Sequence, residues 1–368
     1  MEVLRHVRPL GRVALALATL TLLAAPADAQ RRGRNEAPPP PAQQWPVKTR
    51  AHVDLWLHGF ALLQEDTTLV PLFARGYAER MTVLKNSRGL YTKFDEARDE
   101  LARTGAARNL LLDAQFLPLY FGTWEEMQQA FDYFFKAEGN PRSASNREVQ
   151  GIIAFLGQYF RRPEDRAWAQ RFLTVLTDEY EQFHKEWWLA EFRARTDALA
   201  ATDSLWQQTW RPGIQRFLNY TGQPNGDLVL SFVLGGEGRA LPAGKNSNQY
   251  AVAFPASPDS AEVLLFSFAH EAAGVIARVA VDDNLTPAQQ RAGLGAQYGS
   301  AGLVRGGALI VEQIEAGMGQ RYARWYLAQT GRDVPLGAAL ATLAEVFPMP
   351  EEMMSSMQRQ IALSFTGI

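Results

Sequence analysis

The chain of 368 residues contains no cysteine. Disulfides, cysteine-ligated zinc and a lipid-modified cysteine are therefore excluded. Histidine is scarce, with only His6, His52, His58, His184 and His270. So few imidazoles make a serine triad unpersuasive, and no Gly-x-Ser-x-Gly elbow is present. The formal net charge is −2 and no long basic stripe occurs, so nucleic acid is not expected as a partner. No fixed repeat period is visible, which argues against a regular solenoid. After the first thirty residues no apolar run looks long enough to span a bilayer, so no transmembrane segment is expected once the N-terminus is removed.

The N-terminus has its own character. Arg5, Arg8 and Arg12 precede an apolar run from Val13 to Ala25, and Ala27-Asp28-Ala29 closes it with a small-x-small pattern. This is the form of a secretory signal peptide over 1–29, and it predicts export to a periplasm or the cell exterior. Residues 30–48 read as a Pro-rich linker, because Pro38 to Pro41 favour an extended, unpacked backbone. Arg31, Arg32 and Arg34 read as part of a solvated tail. An exported chain without disulfides must be held by its core, and 47% hydrophobic residues can supply one.

From 49 to 218 the pattern is helical throughout. Apolar residues recur at three- and four-residue spacing over 51–84, 92–104, 108–120, 123–137, 145–160, 163–199 and 203–218. Thr123-Trp124-Glu125-Glu126 forms a capping box. The aromatic residues Trp187, Trp188, Trp206, Trp210 and Phe217 read as helix anchors and core. Asp54 with His58, and Glu181 with His184, have helical spacing and read as ion pairs or hydrogen bonds. The character changes over 219–368. Asp227–Leu234 and Asn248–Phe254 are strand-like, and helices follow over 260–281, 301–329 and 336–365. Gly235-Gly236-Glu237-Gly238 reads as a turn after the first strand, and Asp282-Asp283-Asn284 as a helix-end turn. The fold class expected is mostly α (α+β).

The helix 260–281 carries Phe268-Ala269-His270-Glu271-Ala272-Ala273-Gly274. In His-Glu-x-x-His, two imidazoles one turn apart hold zinc and the intervening Glu polarises water. Here the first two positions are present and the second histidine is Gly274. Two strands, the apolar His-Glu helix and a later helix bearing Glu312 and Glu315 together resemble the gluzincin group of zinc metallopeptidases over roughly 205–330. The resemblance implies a zincin-like core with a small β-sheet and two central helices. It maps His270 to the first metal ligand and Glu271 to the catalytic base if the protein is active. It requires a third ligand on the later helix. There Glu315 borders the apolar face beside Val311 and Tyr322, whereas Glu312 points toward water and stands as the alternative.

With the second histidine missing, the expectation is a peptidase-like fold without standard zinc-dependent activity, acting as a binding or scaffold protein. No cofactor is expected in that case. A peptide or protein partner would bind in a groove near the 227–254 strands, where an edge strand can pair with an extended chain. One alternative is an active metallohydrolase that uses zinc with non-standard ligands. The other is a helical interaction protein unrelated to peptidases.

Overall fold

The computed structural model describes residues 44–64, 69–242 and 247–366. The segment 1–29 expected to be a signal peptide, and most of the segment expected to be a linker, lie outside the described residues. The molecule is mostly helical, with one four-stranded mixed sheet.

The helical half is arranged around the helix Ala51–Leu63. Its sequence is apolar on every face, and all of its residues but Ala51 are buried. A helix without a polar face belongs inside a protein. Its three polar side chains therefore need partners in the fold. His52 Nε2 lies 3.0 Å from the Phe121 carbonyl oxygen. Asp54 accepts from Trp188 Nε1 at 2.7 Å and from Ser231 Oγ at 2.5 Å. His58 Nδ1 meets the Tyr77 hydroxyl at 2.9 Å, and its Nε2 meets Glu179 Oε1 at 3.1 Å.

Glu179 is fully buried at the end of the helix Pro163–Glu179. Lys85 Nζ donates to both of its oxygens, at 2.9 and 2.8 Å, and the Thr92 hydroxyl donates as well. Lys85 also pairs with Asp95 at 2.7 Å. Burial alone would raise the Glu179 carboxyl. The hydrogen bond and charge of His58, then Lys85, instead hold it down to about 2.

The sheet runs β1 (Val47–Thr49), β2 (Gly226–Ser231), β4 (Asn248–Ala253), β3 (Arg239–Leu241). β1 is parallel to β2, with Val47 opposite Leu228, and β2 is parallel to β4, with Leu228 opposite Tyr250. β3 is the antiparallel edge, with Ala240 opposite Tyr250. The linker expected over 30–48 therefore ends early. Val47 and Lys48 belong to β1, and Trp45 is fully buried, with its carbonyl accepting from Trp206 Nε1 at 2.8 Å. The regions on either side of 218 share one continuous hydrophobic core, from Trp45 to Ile361.

The helix Glu262–Ala272 lies against β4. Its Phe268 ring centroid stands 4.6 Å from Tyr250, 4.9 Å from Trp206 and 5.7 Å from Trp45. It passes through Ala273, whose φ and ψ of −61° and −23° stay helical, into Gly274–Asn284. The segment Pro258–Asn284 is 27 residues long and contains an apolar window of mean hydropathy 1.5. It thus has the length and composition of a span, contrary to expectation. However, 67% of its apolar window is buried in the fold, the setting of a core helix.

The helix Gly295–Ile314 crosses both halves of that segment. Gly302 and Gly306 face Ala277 and Ala273, and a Cβ added at either glycine would stand 2.9 or 2.8 Å from the alanine Cβ. Paired small residues let the two backbones approach closely. A side chain at this crossing is expected to overpack it. Gly306→Val should lower stability by about 1–3 kcal/mol. Gly299→Ala, in open space on the same helix, should raise it by up to about 1 kcal/mol. Urea unfolding of the two variants beside the wild type measures both. Equal effects would remove the close crossing from the explanation.

Candidate functional site

His270 sits in the last turn of Glu262–Ala272 and is 2% exposed. Its partners come from the helix Met318–Gln329, which follows the glycine-rich helix across a tight break. The His270 ring stacks on Tyr326, with centroids 5.2 Å apart and planes at 20°. Its Nδ1 lies 3.3 Å from the Tyr322 hydroxyl. Tyr322 and Tyr326 are one turn apart and stack on each other, so one helical face presents both phenols. Burial raises both phenols well above their ordinary range, and the nearby carboxylates add to it.

The Tyr326 hydroxyl donates to Glu237 Oε1 at 3.0 Å. Glu237 is the residue that the sequence reading missed. It stands in the loop Gly235-Gly236-Glu237-Gly238, between β2 and β3. The glycines are there for close approach. A Cβ on Gly235 would stand 2.8 Å from the Phe73 carbonyl oxygen, one on Gly236 2.6 Å from Gln329 Cγ, and one on Gly238 would collide with the Ala251 carbonyl. The loop is thus pressed between strands and helix, and Glu237 reaches the tyrosine that stacks on His270. Burial raises the Glu237 carboxyl, His270 opposes that shift, and Glu271 reinforces it.

Glu271 faces the sheet edge. Its Oε1 accepts from Gly238 N at 3.2 Å and its Oε2 from Ala240 N at 3.1 Å. Alternate N–H groups of an edge strand point away from its neighbour and are open to pairing. Here a carboxylate occupies two of them. His270 Nε2 lies 3.9 Å from Glu271 Oε1.

Neither expected third ligand joins this cluster. The helix ends at Ile314, and Glu315 is extended at φ −150° and ψ 127°. Its side chain is 54% exposed and paired with Arg321 at 2.8 Å, and Arg321 also meets Glu262 at 3.1 Å. Glu312 accepts from Gly317 N at 3.0 Å and Gly319 N at 2.9 Å, so it caps the start of the next helix. At Gly274 a Cβ would meet Leu303 Cδ2 at 3.1 Å, an apolar neighbour. Among the described residues no three His, Asp or Glu side chains converge to hold a metal ion. His270, Gly274, Glu312 and Glu315 therefore do not fit a zincin ligand set.

The other histidine pairs resolve differently. His184 lies in a π-helical turn, Tyr180–His184, fully buried with its ring 5.0 Å from that of His58. Burial, then the charge of His58, pushes its imidazole well below the usual range. Glu181, three residues before it, faces outward, lining a groove with Lys93 and Asp178. A second groove is lined by Lys85, Tyr91 and Asp99. Neither groove includes a residue of the His270 cluster or of the 227–254 strands.

Compared with known protein families, characterised proteins and solved structures, the chain matches none.

The Glu271 contact yields a direct expectation. Glu271→Ala leaves two edge N–H groups without their acceptor and should cost about 1–3 kcal/mol of unfolding free energy. Glu271→Gln keeps one amide oxygen as acceptor and should cost less. Denaturant midpoints, with amide exchange at Gly238 and Ala240, test this. A fully stable alanine variant would show that the carboxylate holds nothing.

Proposed function

We propose that the chain is an exported binding or scaffold protein on a zincin-like plan, in which the His-Glu pair serves structure and not zinc chemistry. The observation that carries this reading is the engagement of Glu271 by the Gly238 and Ala240 N–H groups. A general base must face the proton it removes. Both Glu271 oxygens face backbone instead, and His270 is held between Tyr322 and Tyr326. The zincin-like plan is supported by the antiparallel edge strand lying beside the His-Glu helix, and by the glycine-rich helix crossing that helix. A peptide partner near the 227–254 strands must compete with Glu271 for the two edge N–H groups. Export follows from the pattern of residues 1–29. N-terminal sequencing of the secreted fraction, with a start near Gln30, tests it.

One observation favours a second reading, a metallohydrolase with non-standard ligands. Glu237 accepts from the Tyr326 hydroxyl, the Tyr326 ring stacks on His270, and the charge of His270 opposes the upward shift of the Glu237 carboxyl. Metal content separates the two. Mature protein dialysed against metal-free buffer should retain less than about one-tenth equivalent of zinc, because a missing ligand removes much of a site's affinity. Gly274→His should also fail to bind zinc, since Glu315 lies with Arg321 and Leu303 faces position 274. Elemental analysis that finds about one zinc per wild-type chain, lost in His270→Ala, would overturn the scaffold reading.

A further inference from the structure

The groove over Lys85 is built by the helix Tyr77–Ser87, the helix Lys93–Ala107 and the link between them. Its volume is about 250 Å³, below the roughly 300–1,000 Å³ of pockets for drug-sized ligands, so it suits a ligand of about one ring. The link is pinned, because Gly89 N donates to Asn86 O and Leu90 N to Lys85 O, both at 3.0 Å. Tyr91 stands out from this link with 72% of its surface exposed, the highest value for a large apolar side chain among the described residues. Its ring stacks on no other ring there, and its hydroxyl has no hydrogen-bond partner among those residues. A single exposed ring is ordinary on a protein surface. This one borders polar groups that are already aimed.

Asp95 Oδ2 is held by Lys85 Nζ at 2.7 Å and by Thr92 N at 2.8 Å. These contacts fix the carboxylate and leave Oδ1 as a free acceptor on a side chain that is 24% exposed. Arg98 Nε donates to the Leu62 carbonyl oxygen at 2.7 Å. That bond orients the planar guanidinium, whose two Nη groups have no partner among the described residues. Asp95 and Arg98 are one turn apart on the same helix and both line the groove. It thus offers a fixed acceptor, a fixed donor fork and an open aromatic face.

Charge narrows the ligand. Lys85 and Arg98 meet three carboxylates, Asp95, Asp99 and the buried Glu179 behind Lys85. An anionic ligand is repelled by the carboxylates, and a cationic one meets the Lys85 ammonium beside Asp95. A neutral ligand whose hydroxyls both donate and accept avoids both penalties.

We propose that this groove binds one pyranose ring of a neutral saccharide. The C–H face of the sugar lies on Tyr91, one hydroxyl donates to Asp95 Oδ1, and a neighbouring hydroxyl oxygen accepts from Arg98 Nη. The site shares no residue with the His270 cluster, and the proposal stands apart from the reading of the His-Glu pair.

Nitrogen–proton correlation spectra of the mature chain test it, titrated with the methyl glycosides of glucose, galactose, mannose and N-acetylglucosamine. A Kd of about 1 mM is expected for a ligand of this size. At least one glycoside should shift the Tyr91, Asp95 and Arg98 amides to saturation. Tyr91→Ala should weaken that glycoside by about fivefold or more, and Tyr91→Phe should keep its affinity. Glycerol, which has the hydroxyls without the ring face, and glycine, a zwitterion, should bind far more weakly. The proposal is overturned if none of the four glycosides saturates these amides, or if Tyr91→Ala binds as tightly as the wild type. It is equally overturned if glycerol or glycine matches the best glycoside. Nuclear Overhauser contacts from the sugar C–H protons to the Tyr91 ring in the unmodified chain check the stacking without a substitution. Their absence at saturation also overturns it.

Discussion

Glu179 carries a charge with no access to solvent, and an unpaired buried charge costs several kcal/mol. Much of the helical half is arranged to meet it. His58 approaches from the central helix, Lys85 from Tyr77–Ser87, and Thr92 from the cap of Lys93–Ala107. Each contact fixes the rotation of its own helix, because a turn in either direction would carry the polar group away. Apolar packing alone could not do this on Ala51–Leu63, which is hydrophobic on every face. The buried polar groups supply the register that a uniform apolar surface lacks. Just after Glu179 the helix widens into the turn Tyr180–His184, and His184 comes to lie against His58.

The same central helix ties the two halves together. His58 faces the helices, while Asp54, one turn earlier, faces the end of β2. The sheet is in turn anchored from the other side by Phe268 among Trp45, Trp206 and Tyr250. The glycine–alanine crossing then brings Gly295–Ile314 close to the His270 helix, and Met318–Gln329 after it. Close approach is what lets the paired tyrosines reach His270. The cluster therefore depends on backbone proximity set by residues that carry no chemistry of their own.

The helical register and the strands β2 and β4 were legible in the sequence, because long apolar periods and strand-like runs carry their own signal. β1 and β3 were not. Each has three residues, too few for an alternation to stand out, and β1 follows Pro46 at the end of a stretch that reads as linker. His270 and Glu271 were legible as a pair on a buried helix. Glu315 was misjudged because the helical wheel ran from 301 to 329 without a break. The chain breaks at Glu315–Gly317, where Gly317 takes a φ of 83°. A glycine at that place is an ordinary helix-stop signal, and weighing it would have removed Glu315 from the face. Glu237 was hidden for a different reason. Three flanking glycines mark a turn, yet what presses on them lies far away in the chain, at Phe73, Gln329 and Ala251.

A histidine and a glutamate side by side on an apolar helix create the same problem for a structural protein as for an enzyme. Both are polar, both are carried inside, and both must find partners. An enzyme leaves part of that demand to a metal, water or substrate. In this fold the demand is met from within: the Tyr322 hydroxyl and the stacked Tyr326 ring for the imidazole, and two backbone N–H groups for the carboxylate. Ala240 belongs to the edge strand and Gly238 immediately precedes it, so satisfying Glu271 also covers an edge that would otherwise be open to pairing. Replacing either residue thus bears first on the fold of this edge, and a loss of function in such a variant must be judged against the position of Gly238 and Ala240.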